Sequence, residues 1–303
     1  MTIAQPLRVL ITGANGQLAQ SFRWLQKEAL EQGIELYFAD RHALDIGNVD
    51  NISAFLDATP VDALVNTAAY TAVDKAESDG EPAELVNAVA PGLLAHACRQ
   101  RGIYMLHVST DYVFDGEKVE PYNASDMVNP LSVYGKTKLA GELAVLNEDS
   151  KAVVLRTSWV FSQFGGNFLK TMLRLGAERS ELNIVNDQFG GPTYAPHIAR
   201  LLLKMIDRHF DSGGVPGGVY HFAGTPHTSW YGFACDIFEQ ARQLGLLAQA
   251  PMLLGISSSS YPTPARRPIN SRLSNARVDQ LLGGSDCSWQ RGVYESLTHI
   301  KNN

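Results

Sequence analysis

Short apolar, β-branched runs alternate with longer segments of helical periodicity, and this alternation restricts the fold more than any other feature of the chain. Strands are predicted at residues 8–12, 34–39, 61–67, 104–109 and 152–157, and helices at 17–32, 49–58, 84–101 and within 132–147. Pro91 is expected to bend the third of these helices. Repeated strand–helix–strand units build a parallel sheet with helices on both faces. The sequence therefore predicts an α/β fold with a Rossmann-type, doubly wound parallel sheet.

The alternation weakens in the second half, where Gly and Pro concentrate at residues 190–192, 213–218 and 261–268. Helices are predicted there at 194–210, 229–244, 272–282 and 289–301, and strands at 219–222 and 252–256. We expect a smaller, mixed α/β C-terminal lobe that binds substrate. The predicted division is a Rossmann domain of residues 1–162 plus 190–222, and a lobe of residues 163–189 plus 223–303.

Composition excludes several classes of protein. The 303 residues are 45% hydrophobic and 18% charged, which suits a large buried core, and the net charge of −6 disfavours nucleic acid or an anionic membrane as a partner. No run approaches the roughly 18 apolar residues of a membrane span, and no secretory leader is evident, so a cytoplasmic location is expected. The three cysteines, Cys98, Cys235 and Cys287, are predicted to be free thiols.

A glycine-rich turn follows the first predicted strand. The run TGANGQLA at residues 12–19 places Gly13 and Gly16 just before a helix, where backbone N–H groups and the helix dipole can hold a pyrophosphate. A glycine pair alone also fits an ordinary strand-to-helix turn. Its position in the first βαβ unit favours a dinucleotide, although Ala19 stands where a third glycine often occurs.

The ends of the next two strands bear on the choice of dinucleotide. Asp40 is placed to accept hydrogen bonds from the adenosine ribose, as in NAD sites, whereas Arg41 could pair with the 2′-phosphate of NADP or be a solvated loop charge. NADH and NADPH both stay open. The run NTAAY at residues 66–70 has small alanines against which a cofactor could lie, and tight packing at a strand end explains it equally well.

Tyr134 and Lys138 are four residues apart and therefore share one helix face. An ammonium beside a phenol favours the phenolate, which predicts a lowered pKa for Tyr134 and makes it a usable acid near neutral pH. Ser109, Thr110 and Asp111 follow the strand at 104–109 at the same sheet edge. A hydroxyl there can bind a substrate oxygen, and a capped turn is the competing explanation for Thr110 and Asp111.

These motifs together resemble the extended short-chain dehydrogenase/reductase superfamily. Longer runs are similar, more specifically, to the dTDP-4-dehydrorhamnose reductase family, and the resemblance covers nearly the whole chain. They are GQL at 16–18, AAYTAVDKAE at 68–77, STDYVFDG at 109–116, RTSWV at 156–160, NDQFGGPT at 186–193 and ARRP at 265–268.

The resemblance implies that NAD(P)H reduces the C4 ketone of dTDP-4-dehydro-L-rhamnose, a nucleotide sugar, to dTDP-L-rhamnose. Tyr134 would protonate the developing alkoxide, Lys138 would hold the nicotinamide ribose and lower the tyrosine pKa, and Thr110 would hydrogen-bond the reacting oxygen. Cofactor contacts are expected at Gly13, Asn15, Gly16, Gln17, Leu18, Asp40, Arg41, Asp45, Ile46, Ala68, Ala69, Tyr70, Thr71, Tyr134 and Lys138. Substrate contacts are expected at Thr110, Asp111, Tyr134, Trp159 and Arg267.

Three of these interpretations have ordinary alternatives. Trp159 offers a flat apolar face to a deoxysugar ring, or it is a core tryptophan. Arg267 suits a pyrophosphate because guanidinium binds phosphate bidentately, but Arg266 could serve instead. Asn87 either braces the cofactor loop or is a satisfied buried amide.

Metal binding and assembly stay open in the sequence. Some members of the family carry an acidic metal site associated with dimerisation, yet its ligands cannot be matched here, so Mg²⁺ and a homodimer are neither assigned nor excluded. The eight histidines form no ligand cluster, and His107, within an apolar strand, is expected to be a packed core residue.

Two other functions compete with the reductase. A nucleotide-sugar epimerase or 4,6-dehydratase would share the cofactor fold, but dehydratases of this superfamily have Thr-Asp-Glu where this chain has Tyr112 as the third residue. A non-catalytic subunit of the kind that accompanies methionine adenosyltransferase would bind nucleotide without turnover. The intact Thr110, Tyr134 and Lys138 favour catalysis.

Overall fold

The computed structural model describes residues 5–211 and 214–303, which form thirteen strands and twelve α-helices. The strands are β1 (Leu7–Thr12), β2 (Ile34–Ala39), β3 (Ala63–Asn66), β4 (Tyr104–Thr110), β5 (Val153–Thr157), β6 (Val160–Phe161), β7 (Glu181–Val185), β8 (Phe189–Gly190), β9 (Thr193–Tyr194), β10 (Gly218–His221), β11 (Thr228–Ser229), β12 (Met252–Ile256) and β13 (Asn270–Ser271). The helices are α1 (Gln17–Trp24), α2 (Gln26–Glu31), α3 (Val49–Ala58), α4 (Val73–Ala76), α5 (Gly80–Glu84), α6 (Ala90–Arg101), α7 (Val133–Glu148), α8 (Phe168–Glu178), α9 (Ala195–Asp211), α10 (Trp230–Gln243), α11 (Ala276–Leu282) and α12 (Trp289–Asn302).

The central sheet has six parallel strands in the order β10-β5-β4-β3-β1-β2. The chain builds outward from β1 in one direction to β2 and in the other through β3, β4 and β5 to β10. A crevice opens where the order reverses, beyond the carboxyl ends of β1 and β3. The predicted Rossmann-type doubly wound sheet is confirmed, and β10 joins it as the sequence predicted.

Strand β1 is buried on both faces because its side chains alternate between two separate apolar cores. Val9 and Ile11 pack with residues of α1 and α9, whereas Leu10 packs with residues of α3, α6 and α7. This arrangement explains why β1 is apolar without alternation, since neither face of a doubly wound sheet contacts water.

The remaining elements form a smaller lobe with a core of its own. Phe161, Phe233 and Trp289 belong to an aromatic-rich cluster that also contains apolar residues of β7 and α8. A parallel pair, β12-β7, and a three-stranded sheet, β11-β8-β13, accompany these helices. The mixed α/β character matches the expectation, and the chain division given above stays a prediction.

Two predicted helices differ from the structure. The segment 17–32 is two helices, because the N–H of Leu25 bonds to the carbonyls of both Ser21 and Phe22 and ends α1 there. Pro91, where a bend was expected, lies in the first turn of α6, and a π-helical segment, Leu85–Val89, comes just before that helix. Proline has no N–H for the carbonyl four residues earlier, that of Asn87.

Other boundaries moved less. Helix α11 begins only at Ala276, whereas the sequence suggested residue 272, and the short strands β6 to β9, β11 and β13 were not predicted. Most of these strands are two residues long, so their apolar pattern is too short to register as a strand. The three cysteines are free, as predicted.

A buried ion pair fixes α7 to the sheet. The Arg156 Nη2 lies 2.6 Å from the Glu142 Oε2, and both side chains are 5% exposed or less. The Ser109 hydroxyl donates to the Glu142 Oε1 at 2.5 Å, so one carboxylate ties α7 to both β4 and β5. Helix α7 carries Tyr134 and Lys138, and the pair therefore holds those side chains against the sheet edge.

Removing one partner of this pair should be far more costly than removing both. We expect Glu142→Leu to lower the free energy of unfolding by about 3–5 kcal/mol, because it leaves the Arg156 guanidinium buried without its counter-charge. Adding Arg156→Met should restore most of that loss. Chemical denaturation measures the values, with Arg174→Ala at an exposed ion pair as a control expected to stay within about 0.5 kcal/mol. A double variant as unstable as the single one would contradict the coupling.

Candidate functional site

A single cleft of about 930 Å³ lies between the carboxyl edge of the central sheet and the smaller lobe. Every site residue predicted from the sequence lines it. These are Gly13, Asn15, Gly16, Gln17, Leu18, Asp40, Arg41, Asp45, Ile46, Ala68, Ala69, Tyr70, Thr71, Thr110, Asp111, Tyr134, Lys138, Trp159 and Arg267. Their individual roles stay predictions, but the structure brings all of them to one place.

The glycine turn has the shape of a phosphate cradle. Gly13 has a φ of +67°, and a Cβ there would lie 2.9 Å from the Ala68 Cα, so glycine is required on both counts. The first bond within α1 runs from the Gln20 N–H to the Gly16 carbonyl. The N–H groups of the first helical residues, Gln17 to Ala19, therefore have no intrahelical acceptor and point beyond the helix end, where an anion is stabilised. These residues fit a dinucleotide pyrophosphate.

The carboxylate at the end of β2 is already engaged by its own loop. The Asp40 Oδ1 accepts hydrogen bonds from the His42 N–H at 2.9 Å and the Ala43 N–H at 3.0 Å. The Ala43 bond is the largest cause that holds the pKa of Asp40 below its usual range, so this group is a carboxylate at neutral pH. Arg41 beside it is exposed and lines the same cleft.

Asn87 is both a satisfied amide and a brace, so the two interpretations of it are compatible. Its Oδ1 accepts from the Tyr70 N–H at 2.9 Å, and its Nδ2 donates to the Tyr70 carbonyl at 3.0 Å. The amide thus bonds to both the N–H and the carbonyl of one residue, as a neighbouring β-strand would, in the loop that follows β3. Asn87 thereby fixes the backbone of Tyr70 along one wall of the cleft.

Tyr134, Thr110 and Asp111 meet at the cleft floor. The Thr110 hydroxyl donates to the Asp111 Oδ1 at 3.0 Å and accepts from the Tyr112 N–H at 3.2 Å. Burial raises the pKa of Asp111 to about 6, and the Asp111 Oδ2 is buried with no hydrogen-bond partner among the described residues. Thr110 has one hydroxyl proton, so donating to a substrate oxygen requires it to leave Asp111.

The predicted depression of the Tyr134 pKa is wrong for this structure. Burial raises the pKa of Tyr134 to about 12, and the neighbouring Thr110 hydroxyl offsets only part of this rise. Lys138 is not among the groups that shift the Tyr134 pKa, and its Nζ donates to the Val108 carbonyl at 2.8 Å. The two side chains line the same cleft, as their spacing predicted.

Trp159 is neither a plain core residue nor alone. Its ring stacks on that of Trp230 with 3.6 Å between centroids, and both indoles line the cleft. Its φ of +48° is unusual for so large a residue and represents backbone strain of the kind found at ligand sites. Gly190 lies beneath this pair, where a Cβ would be 2.6 Å from the Trp159 ring.

Of the two adjacent arginines, Arg267 is the one in the cleft. Its Nη2 lies 2.9 Å from the Asp74 Oδ2, and the Ala265 N–H donates to the same carboxylate. Arg266 is exposed and does not line the cleft. The Arg267 Nε is buried with no partner in residues 5–211 and 214–303, so the guanidinium keeps an unused donor.

Sequence reasoning missed several features. Trp230, Gly165 and Gly166 line the cleft but come from the smaller lobe, and no motif marks them. Trp230 is the first residue of α10, behind the Ser229 cap, a position that predicts a helix start and nothing about a ligand. The ion pair of Glu142 with Arg156 was also missed, because its residues lie on different elements, α7 and β5, whose packing no local pattern shows.

Neither a metal site nor a membrane segment emerges from the described part of the chain. Its His, Cys, Asp and Glu side chains form no group of three or more that could hold a metal ion. The helices within residues 5–211 and 214–303 are all too short or too polar to cross a bilayer.

The strand order, the glycine turn and the Tyr-x-x-x-Lys pair in one cleft define a dinucleotide-binding protein of the short-chain dehydrogenase/reductase type. A family model described as RmlD substrate binding domain matches residues 7–302. The chain belongs to this family.

Relatives of known name agree over nearly the full length. The chain is 42% identical over 287 residues to a dTDP-4-dehydrorhamnose reductase of Aggregatibacter actinomycetemcomitans, covering 94% of this chain and 97% of that one. A crystal structure of a dTDP-4-dehydrorhamnose reductase from Clostridium acetobutylicum has a TM-score of 0.88 and 36% identity over 97% of this chain and 100% of its own. The dTDP-4-dehydrorhamnose reductase of Bacillus anthracis, solved in complex with NADP, has a TM-score of 0.88 and 32% identity, covering 97% and 99%.

The buried carboxyl of Asp111 should cost stability at neutral pH. Its folded pKa of about 6 lies above that of an exposed carboxyl, so the folded state gains stability as pH falls from about 6 to about 4. Asp111→Asn should raise the free energy of unfolding at pH 7 by about 2–3 kcal/mol, and the gain should vanish below about pH 4. Denaturation at several pH values measures it.

Asp115→Asn is the matched control, with the opposite sign. The Glu117 N–H is the largest cause that lowers the pKa of Asp115, so this substitution should destabilise the protein at pH 7. A pH-independent effect of Asp111→Asn would show that Asp111 is not charged at neutral pH in the folded state.

Proposed function

We propose that this chain is an NADPH-dependent reductase that converts the C4 ketone of dTDP-4-dehydro-L-rhamnose to the alcohol of dTDP-L-rhamnose. The observation that carries the proposal is the meeting of Thr110, Tyr134 and Lys138 in one cleft with the glycine turn. Family membership and the named activity of relatives that match over nearly their full length support the same substrate.

When bound, the reduced nicotinamide supplies a hydride to the ketone carbon. Tyr134 donates its phenolic proton to the ketone oxygen as negative charge develops there. Its raised pKa keeps the phenol protonated at neutral pH, and an alkoxide is far more basic than a phenolate, so the transfer remains downhill. Thr110, released from Asp111, gives that oxygen a second hydrogen bond.

The two indoles and the cation at the cleft serve binding. Trp159 and Trp230, stacked on each other, place apolar indole surface in the cleft, which suits contact with a deoxysugar ring. Arg267 is oriented by Asp74 with an Nε donor to spare, which suits the diphosphate of a nucleotide sugar. The site therefore provides separate groups for the reacting ketone, the sugar ring and the phosphates.

The rival chemistry of a dehydratase lacks its acid/base group. Tyr112 occupies the position of the expected glutamate, and its ring packs edge-on against that of Tyr134 with 5.4 Å between centroids. Burial raises the pKa of Tyr112, so the residue forms an apolar wall beside Tyr134 and does not remove protons at neutral pH. Water elimination thus has no base at this position.

Replacing the proton donor should abolish most of the activity. Tyr134→Phe should lower kcat roughly 10²- to 10⁴-fold while NADPH binding persists, because the phenol acts on the reacting oxygen. The assay follows loss of NADPH absorbance on addition of dTDP-4-dehydro-L-rhamnose. Tyr104→Phe is the control, since its buried hydroxyl has no partner among the described residues and lies at the other end of β4.

A Tyr134→Phe enzyme with normal turnover would refute the assignment of the acid. If the unmodified protein binds NADPH but does not oxidise it with this ketosugar, the proposed reaction is wrong. Co-purification with a synthetase would then favour the regulatory alternative.

The preference for NADPH over NADH follows from the end of β2. The Asp40 Oδ1 already accepts two hydrogen bonds from its own loop, so Oδ2 is the oxygen left for a ribose hydroxyl. Arg41 is free of that loop contact and lines the cleft, where a guanidinium can pair with a 2′-phosphate. The NADP complex of the Bacillus anthracis relative supports this choice.

Arg41→Ala should therefore lower kcat/KM with NADPH by about 10- to 100-fold, the worth of a charge-assisted hydrogen bond, and leave the value with NADH within a few-fold. Parallel assays with both cofactors measure the ratio. Lys27→Ala removes an equal charge from the exposed face of α2 and should change neither value. Equal losses with both cofactors would show that Arg41 does not recognise the 2′-phosphate.

A further inference from the structure

A chain of buried polar groups runs from Lys138 to the start of the glycine turn. The Lys138 Nζ donates to the Val108 carbonyl at 2.8 Å and lies 3.4 Å from the His107 Nε2. The other imidazole nitrogen, Nδ1, is 3.0 Å from the Asn66 Nδ2, and the Thr12 hydroxyl donates to the Asn66 Oδ1 at 2.7 Å. All four side chains are buried, and Thr12 directly precedes Gly13.

The orientation of the Asn66 amide sets the proton on the imidazole. Its Oδ1 faces two donors, the Thr12 hydroxyl and the Ala68 N–H, so its Nδ2 is the atom that faces His107. An amide N–H can only donate, which makes the His107 Nδ1 an acceptor. A neutral imidazole whose Nδ1 accepts carries its proton on Nε2.

The Nε2–H of His107 consequently points at Lys138. An ammonium has only donors, so it cannot bond to this N–H, whereas a neutral amine has the lone pair that accepts it. The donor–acceptor order of these hydrogen bonds thus favours the uncharged form of Lys138. The sequence predicted that His107 is a packed core residue, but it did not predict the contact with Lys138.

We infer that His107, oriented by Asn66, is a positioning residue that fixes the amine of Lys138 beside the cleft and shifts it toward the uncharged state. The importance of Lys138 itself rests on the proposed function. His107 touches neither cofactor nor substrate in this scheme, because it acts through the lysine.

The charged and titratable groups around Lys138 agree with this inference. Burial lowers the pKa of Lys138 to about 8, against an opposing effect of Glu142 one turn further along α7. Glu142 is paired with Arg156 of β5, which limits that effect. Burial also lowers the pKa of His107 well below its usual value, so the imidazole is neutral. Of the other titratable groups at this floor, Tyr134 has a raised pKa and is neutral near pH 8, whereas Asp111, with a pKa of about 6, is a carboxylate there. The burial of Lys138 prevails over these nearby anions and keeps its pKa below the usual value.

The consequence is a lysine whose charge changes close to neutral pH. A charged Lys138 holds a hydroxyl-bearing ligand and attracts negative charge more strongly than an uncharged one. The hydrogen-bond network that starts at Asn66 therefore sets the pH at which dinucleotide binding weakens. This effect can be measured without any sugar, which separates it from the proposed reaction.

Asn66→Asp reverses the donor–acceptor direction of these hydrogen bonds and keeps the size and shape of the side chain. A carboxylate can only accept, so the His107 Nδ1 must carry the proton and the Nε2 becomes an acceptor for the Lys138 ammonium. Nitrogen NMR of histidine-labelled protein should show the proton on Nε2 in the unmodified chain and on Nδ1 in Asn66→Asp. The pH midpoint of NADPH binding, followed by cofactor fluorescence, should rise by about one unit or more, a tenfold change in proton affinity.

Two controls separate this effect from added charge and from histidine loss. Asn147→Asp puts the same charge on the exposed face of α7, and His96→Gln removes a histidine that pairs with Glu148 at the surface. Neither should move the midpoint. Should Asn66→Asp not fold, His107→Gln serves instead, because its amide reaches the Nε2 position and can turn its oxygen toward the ammonium, which also raises the midpoint.

The inference is overturned if His107 carries its proton on Nδ1 in the unmodified protein. It is also overturned if the midpoint in Asn66→Asp or His107→Gln stays where the controls have it. If NADPH binding behaves as expected but the ketosugar is not reduced, the proposed function fails and this inference stands.

Discussion

The contact of α7 with the central sheet is the constraint on which the site depends. Glu142 accepts from Arg156 of β5 and from Ser109 of β4, so a single carboxylate sets both the height and the rotation of the helix. Lys138 lies about one turn and Tyr134 about two turns before it on the same helix. Because the pair is buried, a shift of α7 would expose charges or leave them unpaired, and the face of α7 that carries Tyr134 and Lys138 is therefore held in place.

The cleft gains its second wall from a different kind of interaction. The Gln17 Nε2 donates to the Val160 carbonyl, and the Gln17 Oε1 accepts from Ser162 and Asn167, so the first residue of α1 holds the segment that leads into the smaller lobe. The stacked Trp159 and Trp230 close the same wall. The glycine turn and the indole pair of the cleft are thus joined through residues that also line it.

The cleft floor concentrates groups that a stability-optimised core would avoid. Three titratable side chains are buried there, and burial shifts their pKa values so that the uncharged forms are favoured; they are Asp111, Lys138 and His107. Trp159 adds a strained backbone. Each costs free energy of folding, and the Asp111 and Lys138 side chains line the cleft where the proposed chemistry occurs. These unfavourable contributions to folding lie where ligand binding could offset them.

The sequence by itself determined the doubly wound sheet, the glycine turn and the cleft residues on strand ends, because local periodicity and short motifs are read within one segment. It did not determine the direction in which Lys138 points, the raised pKa of Tyr134 or the partners Trp230 and Asp74. Those depend on contacts between residues far apart in the chain and on burial, which decides whether a charge is stable. The same spacing of Tyr134 and Lys138 is compatible with several hydrogen-bond networks, and only the tertiary structure selected the one through His107.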